Sequence, residues 1–234
     1  MIIWLASGNI HKRQELAAIL AGHRLRLPAE GGIEDFDPPE TETSFAGNAL
    51  LKARALYGLL GEHLGTGTAV LADDSGLCVD ALGGRPGIFS ARYCGPPDRG
   101  GLPPSGGKKL GAAERNALLV EELNGAVKNS GAKGGSFRQD PPDRPGPASR
   151  RSCRFVCAMV LLFTPDRFYL IEETLEGEIV PHIGAVRGGG GFGYDPIVYL
   201  PELGRTVAEL SEDEKNRLSH RGKAGRLIRS LLEG

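Results

Sequence analysis

The chain has 234 residues, and its 28 Lys and Arg against 29 Asp and Glu give a formal charge of −1. That balance argues against a nucleic-acid or membrane-surface binder, since both need clustered cations. With 40% hydrophobic and 24% charged residues the chain is not disordered and can bury the core of one globular domain.

Residues 2–6 (IIWLA) read as a buried strand ended by Ser7-Gly8-Asn9. From His11 the apolar spacing turns helical through Leu16, Ile19 and Leu20, and Gly22 stops it. Residues 28–43 form an acidic, Pro-containing segment that includes Glu40. Ser44 reads as the N-cap of a second amphipathic helix carrying Phe45, Ala49, Ala53, Leu56 and Leu60. Residues 69–73 (AVLAD) are a short buried strand running into Asp74-Ser75-Gly76, with extended chain from Leu77 to Leu82.

Across 95–152, Gly and Pro make up about a third of the chain, too many for continuous packed structure. One helix is expected there, at about 112–124, and about 125–152 reads as a flexible insertion in a single domain spanning 1–234. Residues 153–163 and 168–175 form a hairpin around a Thr-Pro-Asp turn. A Gly run leads into Phe192-Gly193-Tyr194-Asp195-Pro196 and a strand at 197–200. Ser211 and Glu214 form a capping box before a short helix, and a last amphipathic helix covers about 221–233. Mixed strands and helices predict an α/β fold. No apolar run approaches the roughly 18 residues of a membrane span. Cys78, Cys94, Cys153 and Cys157 form no CxxC pair and demand no oxidising compartment, and a cytoplasmic protein is expected.

Four segments can carry chemistry. Ser7-Gly8-Asn9-Ile10-His11-Lys12 joins a strand to a helix, where free N–H groups and Lys12 suit a phosphate; an ordinary capped turn fits the same residues. Asp73 and Asp74 at a strand end offer hard oxygens for Mg²⁺, or a solvated turn. Neighbouring residues of an ideal strand point to opposite sides, so convergence of the two carboxylates requires a loop to begin there. Phe192 to Asp195 place an aromatic face beside an acceptor, suited to a base, though taken alone they read as a Gly-rich turn with its rings in the core. Lys215 and Ser219-His220-Arg221 cluster donors between two helices, for a base carbonyl or phosphate or simply as a polar junction.

Together SGNIHKRQEL, SFAGNALLKARAL, LADDSGLCVDALGGRPGIFSARY, GGGFGYDPIVYLP and ELSEDEKNRLSHRGKA resemble, in order and over nearly the whole chain, the inosine/xanthosine triphosphate pyrophosphatase family in its bacterial form. The resemblance implies a long mixed sheet with flanking helices, forming two lobes around a nucleotide cleft, and a homodimer. It implies Mg²⁺-dependent hydrolysis of ITP, dITP or XTP to the monophosphate and pyrophosphate. On this likeness Ser7, Gly8, Asn9, Ile10, His11 and Lys12 hold the triphosphate and Lys52 adds a contact. Asp74 binds metal and acts in catalysis, with Glu40 and Asp73 as competing second metal carboxylates. Ser75, Phe192, Gly193, Tyr194, Asp195, Lys215, His220 and Arg221 touch substrate. The insertion departs from the family pattern. The rival expectations are a pyrophosphatase of modified pyrimidine nucleotides and a non-catalytic nucleotide binder.

Overall fold

A computed structural model describes residues 1–61, 64–95, 110–132, 150–188 and 193–233. In chain order the elements are β1 (Ile2–Leu5), α1 (Ile10–Ile19), β2 (Arg24–Arg26), α2 (Phe45–Leu60), β3 (Thr68–Val79), α3 (Ala112–Ala132), β4 (Ser152–Thr164), β5 (Arg167–Ile179), β6 (Val198–Leu200), β7 (Arg205–Thr206), α4 (Glu212–Leu218) and α5 (His220–Glu233). The strands form one mixed sheet in the order β2-β1-β3-β4-β5-β6-β7. β1 pairs in parallel with β2 and β3, whereas β6 pairs antiparallel with β5 and β7. This is the α/β architecture with flanking helices that the sequence predicts. None of the described helices is long and apolar enough to cross a membrane.

The chain divides into two compact units. The first comprises Met1–Ser75, Phe155–Leu175 and Glu212–Gly234; the second comprises Gly76–Arg154 and Glu176–Ser211. In the first unit, Ile3 and Leu5 of β1, Ala69 and Leu71 of β3, and Cys157, Met159 and Leu161 of β4 alternate onto one face. Leu16 and Leu20 of α1 and Ala224 and Ile228 of α5 complete that cluster. The intervening residues Trp4, Val70, Ala72, Ala158 and Val160 are equally buried. Strands covered on both faces read as unbroken apolar runs rather than as an alternation. α2 starts at Ser44, whose hydroxyl accepts the Gly47 N–H at 3.0 Å, and it buries the stripe Phe45, Ala49, Ala53, Leu56 and Leu60.

Two boundaries differ from the sequence reading. β3 does not end at Asp73 but runs unbroken through Asp74, Ser75 and Gly76 to Val79. α3 continues eight residues past its expected end to Ala132, so the proposed insertion does not begin at 125. At its expected end stands Asn124, whose amide donates to the Pro181 carbonyl at 3.1 Å and accepts from Arg151 at 2.8 Å, so the helix is held there instead of stopping. Such tertiary bonds override the weak propensity of a Gly- and Asn-containing segment. The remainder of the predicted insertion, 133–149, lies outside the described residues.

Candidate active site

In the first unit the turn after β1 is organised by its own side chains. Ser7 Oγ accepts the Asn9 N–H at 3.1 Å, and Asn9 Oδ1 accepts the Lys12 N–H at 3.4 Å, closing the start of α1. Gly8 lies within this turn and Ile10 is half-exposed. The His11 side chain lies outside the description. Lys12 and Glu15, three apart on α1, share a helix face. Lys12 Nζ reaches Asp73 Oδ2 at 2.9 Å. Glu15 pairs with Arg221 at 2.5 Å and with Lys215 at 3.5 Å.

Asp73 and Asp74 are neighbours on an uninterrupted strand, so their carboxylates diverge instead of converging through a loop. Each meets its own cations. Asp73 Oδ2 is shared by Lys12 and by Arg221 Nε at 3.3 Å, while its Oδ1 is buried without a donor among the described residues. Arg221 also donates to Ser75 Oγ at 3.1 Å. Asp74 Oδ1 accepts from Lys52 Nζ at 2.9 Å and Oδ2 from Asn48 Nδ2 at 3.2 Å. Asn48 and Lys52 stand four apart on α2 and so face the same carboxylate. Lys52 Nζ also meets Glu40 Oε1 at 2.5 Å. Asn48 Oδ1 accepts the Glu42 N–H at 3.0 Å, which fastens the acidic segment to α2.

These surroundings tune the charges. Burial alone would raise the Asp73 carboxyl, but Lys12 and Arg221 hold it well below the usual range. Asp74 moves the other way: burial and nearby Glu40 raise it against the pull of Lys52. Burial would lower Lys52, yet Asp74 and Glu40 raise it. His220 stacks on Phe155 at 4.9 Å between ring centroids, with an interplanar angle of 8°. Burial and the adjacent Arg221 charge push it well below the ordinary histidine value, so it is neutral near pH 7. Its Nδ1 has no hydrogen-bond partner among the described residues.

Glu40 and Asp74 therefore converge on a single cation position, filled here by the Lys52 ammonium. Two hard carboxylates at one cation position fit Mg²⁺, which takes few protein ligands and completes its shell with water and phosphate oxygens. Among the described residues no cluster of three or more His, Cys, Asp or Glu forms a cage of protein ligands.

Of the sequence-predicted residues, Ser7, Gly8, Asn9, Ile10, Lys12, Glu40, Lys52, Asp73, Asp74, Ser75, Lys215, His220 and Arg221 belong to this first unit. Gly193, Tyr194 and Asp195 belong to the second, and Phe192 lies outside the described residues. Tyr194 and Asp195 are buried, and the Tyr194 hydroxyl donates to the Ser90 carbonyl at 2.9 Å. Sequence reasoning missed Glu15 and Asn48. Both had a signal: a carboxylate one turn after Lys12, and an amide among the apolar residues of α2 one turn before Lys52.

The Ham1 family matches residues 3–135 and 143–231 of the chain. The chain is 42% identical over 234 residues to a dITP/XTP pyrophosphatase of Treponema denticola, covering 100% of both. It is 40% identical over 222 residues to a dITP/XTP pyrophosphatase of Xanthomonas oryzae, covering 94% of this chain and 91% of the relative. Among solved structures it resembles a HAM1 protein from Coxiella burnetii, with a TM-score of 0.73, 33% identity, and coverage of 100% of this chain and 98% of that one. It is similarly close to the Ham1 protein of Staphylococcus aureus, with a TM-score of 0.73, 31% identity, and coverage of 100% and 99%. With the family match spanning nearly all of its length, and full-length relatives at about two residues in five identical, the chain belongs to the Ham1 family.

Proposed function

We propose that the chain hydrolyses non-standard purine nucleoside triphosphates, dITP, ITP and XTP, to the monophosphate and pyrophosphate, with Mg²⁺, as a cytoplasmic homodimer that clears such nucleotides from the pool. The observation that carries this reading is the sharing of one ammonium, Lys52, by the carboxylates of Glu40 and Asp74, in a unit that also presents Lys12, Lys215 and Arg221. Full-length relatives bearing that activity's name support it.

Glu40 and Asp74 would hold the metal. Mg²⁺, when bound, supplies charge neutralisation of the triphosphate and acidifies coordinated water. Lys12 and Lys52 offset phosphate charge and stabilise it as it shifts toward the leaving pyrophosphate. A water oxygen bonds to the α-phosphorus while the bond from that phosphorus to the bridging oxygen breaks, and its electron pair leaves with pyrophosphate. The water's proton passes to a carboxylate oxygen of Asp74, a weak base when ionised, so acidification of the water by the bound metal would carry most of the activation. Asp73, already committed to two cations, orients Lys12 and Arg221, which leaves Glu40 as the second carboxylate for the metal.

Base discrimination falls to a 6-keto acceptor and N1–H, which adenine presents in reverse. Arg221 is engaged by Glu15, Asp73 and Ser75, whereas neutral His220 keeps a ring nitrogen uncommitted among the described residues. A mismatched buried donor costs on the order of 1–3 kcal/mol.

The test is a panel of dITP, ITP, XTP, dGTP, ATP and a modified pyrimidine triphosphate, with and without Mg²⁺, with products identified. Pyrophosphate and monophosphate from the 6-keto purines, lost on chelation, is the expected result. Diphosphate plus phosphate, or equal rates on ATP and ITP, would overturn it. Preference for the pyrimidine selects the first rival activity, and binding without turnover selects the second.

A further inference from the structure

The first turn of α2 carries an amide where the helix is otherwise apolar. Asn48 is fully buried, in the stripe that also holds Phe45, Ala49 and Ala53. Both arms of its carboxamide are spent on segments outside the helix. Nδ2 donates to Asp74 Oδ2 at 3.2 Å, and Oδ1 accepts the Glu42 N–H at 3.0 Å. Its backbone N–H donates to the Ser44 carbonyl at 3.0 Å, so helix geometry fixes the point from which both bonds start.

Residues 36–42, which include Glu40, form no helix or strand, so outside contacts must set their position. They lie close against α2 beside Asn48: a Cβ at Gly47 would stand 2.8 Å from the Glu42 Cβ. Only two residues separate Glu40 from the tethered Glu42 N–H, a reach of about 7 Å at full extension. The other arm acts on Asp74. With Oδ2 held by Asn48, the carboxylate does not turn freely, and Oδ1 faces the cation position that it shares with Glu40 Oε1. One side chain thus constrains both members of the carboxylate pair. A leucine would fill a similar volume and suit a helix interior better, so the choice of an amide here points to the two bonds it makes.

We infer that Asn48 is a positioning residue for the carboxylate pair: its carboxamide locks the rotation of Asp74 and tethers the segment carrying Glu40, so that both carboxylates face one cation position before a metal arrives. The inference rests on the metal-binding part of the proposed reading and deepens it. Both bonds form without a metal, so the ordering of the pair does not have to be drawn from the metal's own binding energy.

Asn48→Leu keeps the bulk and deletes both bonds. The probe is Mn²⁺ alone, a stand-in for Mg²⁺ that takes the same oxygen ligands, titrated into nucleotide-free protein and followed by the paramagnetic signal of the free ion. Its Kd should rise about tenfold or more. The Glu42 amide should exchange with deuterium faster, while the amides of α2 beyond Lys52 keep their wild-type rates. Leu56→Ala, which removes core packing from the same helix, should lower the thermal midpoint and leave the Mn²⁺ Kd unchanged. A folded leucine variant with the wild-type Kd, or equal weakening in Leu56→Ala, would overturn the inference. Should the leucine variant fail to fold, metal-free wild type decides: its Glu42 N–H must already exchange more slowly than in an unstructured peptide, and exchange at the peptide rate would overturn the inference. None of these readouts needs turnover. A wild type inert on dITP would overturn the proposed hydrolysis alone, and one that takes up no Mn²⁺ would overturn both.

Discussion

Asp73→Asn is the sharpest probe of the charged lattice under the site. Three cations, Lys12, Lys215 and Arg221, face two carboxylates, Asp73 and Glu15, for a net charge of +1. The Asp73 side chain is fully buried and that of Arg221 is 13% exposed, so water screens this lattice poorly. Neutralising Asp73 leaves a net +2, with Lys12 and Arg221 facing an amide whose nitrogen cannot accept. Breaking one partner out of a buried ion pair costs about 3–5 kcal/mol, most of it from the charge left behind. Trp4, the one tryptophan of the chain, is fully buried in β1 of the same unit and reports its unfolding by fluorescence. Urea titration should therefore show a midpoint fall equivalent to about 3 kcal/mol or more at an unchanged slope. A second arm tests the cause. Lys12→Met, introduced into the asparagine variant, removes one of the stranded charges, and the cycle should show at least about 1 kcal/mol of favourable coupling. An asparagine variant within about 1 kcal/mol of wild type, with an additive cycle, would refute the view that these pairs hold Asp73 ionised and oriented.

Asp74→Asn should lose about two decades or more of dITP turnover with the folded near-ultraviolet dichroism retained; near-full pyrophosphate release would reject its catalytic role. His220 gives the protein an acid limb. Its folded pKa lies below the unfolded value of about 6.5, so from about pH 7 downward the unfolded chain takes a proton that the folded one refuses, and stability falls by up to about 1.4 kcal/mol per pH unit. Urea midpoints should drop between pH 7 and 5.5 in wild type and flatten in His220→Phe; parallel curves would contradict this. A Cβ at Gly222 would stand 2.0 Å from the Asn216 carbonyl oxygen, whereas one at Gly225 would meet only a methyl of Ile19 at 2.9 Å. Gly222→Ala should thus cost about 2–3 kcal/mol and more than Gly225→Ala, read by thermal unfolding.

The α/β class and the long elements were legible because burial on both faces leaves an unmistakable apolar run in β1, β3 and β4, and a stripe in α2. β2 and β7, with three and two residues, are too short to carry a period, and only their partners define them. The end of α3 was hidden for a different reason: Gly125 and Asn129 argue for a loop, and what holds the helix is Arg151, far along the chain. At the site, the residue types were readable and their pairing was not. The alternation of a strand implies that Asp73 and Asp74 look in opposite directions, and the loop that their convergence would require does not form, because β3 continues.

What no local pattern could reveal is the bookkeeping of charge across the unit. Lys12, Lys52, Lys215 and Arg221 sit against Glu15, Glu40, Asp73 and Asp74, four cations with four carboxylates, although Arg221 and Asp73 are 148 residues apart. A site so balanced holds its lysines and arginine in place without a ligand, at little reorganisation when one arrives. Among the described residues these four cations are already paired with carboxylates, so a triphosphate would meet them only in competition with their partners. A divalent cation held by Glu40 and Asp74 would offset that competition, which is why a polyphosphate should enter with a metal rather than alone.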